Sequence, residues 1–455
     1  MGKAYSLAPK DVPHIETRYR NIVTRIPAPQ SLDLLEKLRK YEPRSMSGQP
    51  PVVWDKADGF QVHDPYGNKW LDFSSGVLVA NAGHSHPAII DSIRQQLDQG
   101  LIHNYCFPSR GRAELAEKLV DLAPEGLDKA FILTTGAETT ECAIKLSRTY
   151  GQQKGGKKKI GIVTFENAFH GRTLASQMAG GIPALKEWIV NLDPDFHQVP
   201  FPDGFRNREL GFDVFLETLE LKGVGPDRIA CVMTESYQGG GTSFAPPAYM
   251  QELRQWCDKH DIVLVMDEVQ AAFGRTGAMF GFEHYGIVPD LVCLGKGITS
   301  SLPLSAVVGR TRIMDQYEPG SMTSTHTGNP ISVAAALASI KVIEDEGLVE
   351  NAREVGKIMY EGLLELKRKY ASVIGSVQGK GLVYGVHVTK PDSREPNGDL
   401  AFRISEELFR SGLLIFAPVG FGGATIKLSP PLCITEVAVK EGIEVIDWAF
   451  ETVLA

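Results

Sequence analysis

Apolar positions along the chain follow two regimes. Between about Arg112 and Asn329, short continuous apolar runs alternate with helix-period stretches: Ala130 to Thr135, Ile160 to Phe165, His197 to Phe201, Ile229 to Thr234, Ile262 to Met266, Leu291 to Leu294 and Ser305 to Gly309. Runs this short and rich in branched residues predict strands covered on both faces, and their alternation with helices predicts a mainly parallel sheet wrapped by helices. Outside this stretch the pattern changes. Residues 1 to about 50 are polar, with one helix expected over Ser31 to Tyr41, begun by a serine cap. Val52 to Phe73 alternates apolar and polar positions and breaks at Asp58-Gly59 and Tyr66-Gly67-Asn68, which predicts an antiparallel meander. Ser74 to Pro87 is rich in small residues and leads into a helix from Ala88. After Pro330 come long helices, Ile331 to Glu346 and Leu348 to Tyr370, then a strand at Leu382 to Val388 and a last helix from Thr435. The expected fold class is α/β: residues 1–111 as an arm and part of a small domain, 112–329 as a large domain, and 330–455 completing a smaller α/β lobe.

Composition narrows the function. The chain has 455 residues and a formal net charge of -8, so nucleic acid is not an expected partner. GGKKK at Gly155 to Lys159 is the one dense basic run and reads as a solvated loop. The six cysteines contain no CxxC pair, and most are expected to be packed thiols, with neither a zinc site nor a disulfide framework. His84 and His86 share a strand-face spacing without further ligand types beside them, so no metal site is expected. No stretch approaches a membrane span or a signal peptide, which makes a cytoplasmic location the expectation. MGKAYS formally fits an acylation pattern at Gly2.

The chemistry concentrates at strand ends. Asp267 closes the run Ile262 to Met266, and Leu291 to Leu294 runs into Gly295-Lys296-Gly297, which puts an acid and an amine at one sheet edge. Ligands of open α/β sheets bind at that edge. A salt bridge between two strand ends is the plain reading of such a pair. The flanking glycines favour another, since they leave room for a flat ligand against the backbone. Pyridoxal phosphate asks for a lysine to take its aldehyde, an acid for its ring nitrogen and a helix start for its phosphate. Thr135-Gly136-Ala137, between a strand and a helix, offers the last of these. Phe169-His170-Gly171-Arg172-Thr173 brings an aromatic and a carboxylate-binding arginine, or else a core phenylalanine and a tied arginine. Glu235 and Gln238 with three glycines end another strand. Thr323 to Pro330 is a hydroxyl-rich loop, suited to a phosphate or to capping the next helix through Asn329 with Pro330 at its first position.

Taken in order and spacing, TGAETTECAIK, FHGRT, ESYQGGG, MDEVQAAFGRTG, LGKG and THTGNP resemble the class III (ω-amino acid) aminotransferases, pyridoxal phosphate enzymes of fold-type I. The resemblance spans nearly the whole chain. It implies that Lys296 holds the cofactor aldehyde and moves the proton of the 1,3-shift, and that Asp267 meets the ring nitrogen. It further implies that Gln270 meets the phenolic oxygen, that Val269 and Phe169 enclose the ring, that Gly136 and Ala137 supply phosphate amides, and that His170 and Glu235 complete the cofactor set. Thr325 is implied to reach the phosphate of a neighbouring subunit, which requires a homodimer or higher homo-oligomer, and Arg275 is implied to be structural. FHGRT is most similar to the 4-aminobutyrate and ornithine branch, in which the arginine corresponding to Arg172 takes the distal carboxylate and the residue corresponding to Val77 lines the donor side. The branch's glutamate and arginine switch is replaced here by Gly240 and Lys427. The implied reaction moves an amino group from an ω-amino acid or amine to a 2-oxo acid such as 2-oxoglutarate or pyruvate, with Lys427 as a further carboxylate contact. An amino acid racemase or epimerase of the same family is the alternative.

Overall fold

The computed structural model describes residues 3–455; Gly2, the formal acylation position, lies outside it. The chain divides into two compact units, one of Pro87–Glu346 and one of the residues up to His86 together with Gly347–Ala455. The expected divisions fall after residues 111 and 329, whereas packing groups residues 87–111 and 330–346 with the central sheet. Helix Pro87–Asp98 packs on helix Pro330–Asp345, with Ser92 Oγ donating to the Ala334 carbonyl at 3.0 Å, and both helices belong with the central sheet.

In the Pro87–Glu346 unit the described strands form a seven-stranded sheet in the order Lys129–Leu133, Ser305–Gly309, Leu291–Leu294, Val263–Asp267, Ile229–Glu235, Gly161–Phe165 and Phe196–Val199. Ser305–Gly309 is antiparallel to both neighbours and all other pairs are parallel. All seven expected strands are present, each within two residues of its expected ends. Every residue of Ile229–Glu235 and Val263–Asp267 is buried, as expected for strands covered on both faces. Cys142, Cys231 and Cys293 lie in the core with Leu146, Ile162 and Val265. Burial pushes the Cys142 and Cys231 thiols up to about 12, so they pack as apolar groups.

In the other unit the meander is Lys56–Asp58, Gln61–His63 and Lys69–Asp72, antiparallel throughout, and Leu413–Leu414 adds to Lys69–Asp72 in parallel. A second sheet joins Ile374–Lys380, Val383–Val388 and Thr425–Leu428. The first helix runs Leu32–Tyr41, but Ser31 does not cap it: its hydroxyl donates back to the Ala28 carbonyl at 2.6 Å, inside a tight turn that precedes the helix. The last helix, Glu436–Leu454, is capped by Thr435. His84 sits in an isolated bridge with Gly59, not on a strand, and among the described residues no His, Cys, Asp or Glu cluster has metal-binding geometry.

Ser75–Leu78 is a single left-handed helical turn. Its φ angles are +50° for Ser75, +57° for Gly76, +66° for Val77 and +62° for Leu78. Leu78 N donates to the Ser74 carbonyl and Val79 N to the Ser75 carbonyl, each at 2.9 Å. Each of its non-glycine residues costs about 1–2 kcal/mol in this conformation.

Candidate active site

Parallel strands bring their carboxyl ends to one edge, and the predicted site residues of the sheet unit gather there. Lys296 follows strand Leu291–Leu294 through Gly295, and its own backbone is left-handed at φ +43°. The side chain is half-buried. Loss of solvent lowers the basicity of its amine against the opposing pull of the Asp267 and Glu235 charges. An amine so disposed is readily available as a nucleophile toward a carbonyl.

Val269 lies between two glycines. A Cβ on Gly136 would stand 2.8 Å from Val269 Cγ1, and one on Gly295 would stand 3.2 Å from the same atom. The strand turn before Lys296 and the helix start at Gly136 approach so closely only because neither carries a side chain. Gly239 acts similarly on the other flank: a Cβ there would fall 2.3 Å from Gln270 Nε2 and 2.8 Å from Glu235 Oε1.

Behind the lysine is a buried polar cluster. Asp267 Oδ2 receives His170 Nδ1 at 2.8 Å, and Asp267 Oδ1 receives Val269 N at 3.1 Å. Burial works to lower the basicity of His170, but the hydrogen bond to Asp267 and the charges of Asp267 and Glu235 prevail and raise it. Glu235 pairs in register with Asp267 on the adjacent strand and accepts from Phe169 N at 3.1 Å and Gly239 N at 2.9 Å. Burial is the main cause that pushes its carboxyl up to about 7.

Helix Gly136–Gly155 begins at Thr135, whose side chain accepts from Glu138 N while the Glu138 carboxylate takes the Thr134 and Thr135 amides, both at 2.9 Å. This capping box leaves the Gly136 and Ala137 amides in the first turn, where no intrahelical acceptor exists. Glu138 went unassigned in the sequence reading, although Thr135-x-x-Glu138 is its signature. Gly171, at φ +131°, brings the FHGRT segment against Ala137: a Cβ there would meet Ala137 Cβ at 2.9 Å. Phe169 is half-buried. Arg172 is exposed, with its guanidinium carbon 5.6 Å from the Phe169 ring centroid and no acid paired with it among the described residues. Thr325 is exposed, and Asn329 caps helix Pro330–Asp345 by accepting from Ile331 N at 3.0 Å. Arg275 is fully buried.

Val77 and Lys427 belong to the other unit. Val77 is 42% exposed at the left-handed turn, and Lys427 is 2% exposed on strand Thr425–Leu428 opposite Gly385. The structure thus gathers Gly136, Ala137, Phe169, His170, Glu235, Asp267, Val269, Gln270 and Lys296 at one sheet edge, while Val77 and Lys427 are carried separately.

The Aminotransferase class-III family profile matches residues 44–450. The chain belongs to this family. The aminotransferase is 34% identical over 442 residues to a 4-aminobutyrate aminotransferase of Mycobacterium leprae (strain TN), covering 94% of this chain and 97% of that one. It is also 32% identical to an alanine/serine racemase of Pyrococcus horikoshii, covering 99% and 96%. Among solved structures it is similar to a PLP-bound amine transaminase from an uncultivated Pseudomonas species, with 29% identity, a TM-score of 0.81 and coverage of 88% and 94%.

Aminotransferases of this class depend on pyridoxal phosphate, and the residues at the sheet edge of this one fit it: Gly136 and Gly295 let Val269 pack close against the backbone, the Gly136 and Ala137 amides lie in the first turn of a helix without intrahelical acceptors, and the Asp267 carboxylate acts on the Lys296 amine. When bound, the cofactor supplies an aldehyde to take the amino group and a ring that delocalises the charge left on the substrate. No helix among the described residues is long and apolar enough to cross a membrane.

Proposed function

We propose that this aminotransferase moves the amino group of an ω-amino acid of the 4-aminobutyrate type, or of a related amine, to a 2-oxo acid such as 2-oxoglutarate or pyruvate. The observation that carries this reading is Arg172, an exposed guanidinium on the Phe169 ring with no acid paired to it among the described residues. A guanidinium so placed suits the distal carboxylate of a donor through two parallel hydrogen bonds. The relative named 4-aminobutyrate aminotransferase supports the same donor class.

In this reading Lys296 would hold the cofactor through its aldehyde and would serve as the base that moves the substrate proton, for which its lowered basicity equips it. Asp267, oriented by His170 Nδ1 and Val269 N, would hold the ring nitrogen. Gly136 and Ala137 amides would hold the phosphate, and Gln270 the phenolic oxygen. The exposed Thr325 reaches the phosphate of a second copy, so the active form is a homodimer, and its location is cytoplasmic. Val77 lines the donor side, and Lys427 serves a second carboxylate as a point charge.

The test is a panel of amino donors against 2-oxoglutarate and pyruvate. ω-Amino acids and amines are expected to support turnover only when an oxo acid is present. The relative named alanine/serine racemase raises the second reading, in which Cα is reprotonated with inversion. Loss of optical activity from one enantiomer of an α-amino acid, without any oxo acid, would establish that reading in place of the first.

A further inference from the structure

The left-handed turn Ser75–Leu78 is held by a polar assembly that the sequence reading did not assign. At its centre is Asp72, the last residue of strand Lys69–Asp72, whose carboxylate is fully buried. Asp72 Oδ1 accepts from Ser74 N at 2.7 Å and from Ser74 Oγ at 2.6 Å, and Ser74 Oγ in turn accepts from Gly76 N at 3.1 Å. Asp72 Oδ2 receives His84 Nε2 at 2.7 Å. His84 is itself fixed at the main chain, with its amide donating to the Gly59 carbonyl at 2.7 Å and its carbonyl accepting from Gly59 N at 3.0 Å. On the far side of the turn Ser75 Oγ donates to the Ser429 carbonyl at 2.6 Å.

The turn needs such holding. A β-branched residue at φ +66° is an outlier that relaxes unless its surroundings over-determine it, and strain of this kind gathers where a side chain must be aimed. What the turn aims is Val77, left 42% exposed at its tip. Trp54, 43% exposed, stands beside the turn at Gly76: its ring meets the His84 ring edge-on at 5.5 Å, and its Cη2 atom lies 4.0 Å from where a Gly76 Cβ would be. His84 thus touches both the carboxylate that tethers the turn and the indole that backs it.

We propose that Asp72, Ser74 and His84 are positioning residues for donor selectivity: they hold the left-handed turn so that Val77, with Trp54 behind it, forms a fixed apolar wall that limits the bulk of the donor. This rests on the reading that Val77 lines the donor side. His84→Gln keeps a donor toward Asp72, His84→Ala removes it, and Ser74→Ala removes the hydroxyl that links Asp72 to Gly76 N while leaving Asp72, His84 and the Ser74 amide bond in place.

The experiment measures kcat and KM on holoenzyme for a slim unbranched ω-amino acid and for a bulky α-branched amine, together with the visible absorption of bound cofactor. His84→Ala and Ser74→Ala are expected to reduce the preference for the slim donor by roughly tenfold, through KM and not kcat, with the cofactor band unmoved. His84→Gln is expected to restore it, and in a Val77→Ala background the effect of His84→Ala is expected to shrink below about threefold, because the two act through one element. An equal loss for both donors, or full additivity with Val77→Ala, overturns the proposal. Should His84→Ala not fold, Ser74→Ala decides alone. A preference that responds to Val77→Ala but to neither His84→Ala nor Ser74→Ala overturns the positioning role only; a preference indifferent to Val77→Ala overturns the donor-side reading of Val77 as well.

Discussion

Glu235 offers a prediction whose sign follows from its burial. It is a buried carboxyl whose two oxygens already accept from Phe169 N and Gly239 N, and the charged groups facing it are His170, Asp267 and Lys296. Burial pushes its carboxyl from 4.5 up to about 7. Between those limits the folded chain keeps a proton that the unfolded chain has released, so Glu235 draws stability down as pH rises across the window. At ~1.36 kcal/mol per pH unit the interval is worth about 3 kcal/mol. Glu235→Gln removes that titration. It also sets an amide NH2 against one of two backbone N–H groups, a fixed penalty of about 1–3 kcal/mol that does not vary with pH.

The observable is therefore the melting temperature of the variant minus that of the parent, followed from pH 4.5 to 7.5 on protein stripped of pyridoxal phosphate. The variant is expected to start lower and to gain on the parent by about 3 kcal/mol, a few degrees, as pH rises. A difference that stays flat would mean that Glu235 titrates in the ordinary carboxylate range and that its two backbone hydrogen bonds, not burial, govern it.

Three further outcomes follow from the site. Lys296→Ala should leave melting nearly unchanged but cut transamination by about a thousandfold or more, and borohydride should no longer couple cofactor to the chain, which mass spectrometry reads directly. Gly136→Ala puts a methyl 2.8 Å from Val269 Cγ1; overpacking of about 1–3 kcal/mol should displace Val269 or the helix start and weaken pyridoxal phosphate binding roughly tenfold in a titration, and unchanged affinity would show that this close packing does not govern the cofactor site. Arg172→Ala, at an exposed position, should alter stability by less than about 0.5 kcal/mol yet raise KM for ω-carboxylate donors about tenfold or more, with uncharged amines unaffected; equal changes for both would remove its role.

The large sheet was legible because its strands are covered on both faces, so runs such as IACVMT at Ile229–Thr234 stand out without any knowledge of partners. Ile374–Lys380, IGSVQGK, carries two glycines and a glutamine, half-buried in part, and gives no such run; its pairing with Val383–Val388 makes it a strand. Which helices pack together was not legible, since nothing in the helix Pro87–Asp98 alone names Pro330–Asp345 as its neighbour. Ser31 has the right residue type for a cap, yet a turn at Pro29–Ser31 claims its hydroxyl first. The turn at Ser75–Leu78 runs against local preference at Val77, so no propensity argument predicts it. Hydrogen bonds such as His170 to Asp267, 97 positions apart, are likewise invisible until the strands are ordered.

Why the site needs an antiparallel strand in an otherwise parallel sheet can be argued from the same edge. Parallel strands deliver only their carboxyl ends there, which supplies Glu235, Asp267 and Lys296 but no support for the helix start at Gly136. Ser305–Gly309 runs the other way, between Leu291–Leu294 and Lys129–Leu133, so its first residue is the one at the edge. Ser305 Oγ donates to the Thr135 carbonyl at 2.8 Å, fixing the residue that caps helix Gly136–Gly155. Reversal of that one strand thus ties the lysine strand to the helix start at Gly136, where Gly295 and Gly136 pack closely about Val269. Truncating Ser305 to alanine would loosen the turn without touching any group that meets substrate, and the loss should fall on cofactor affinity in preference to kcat.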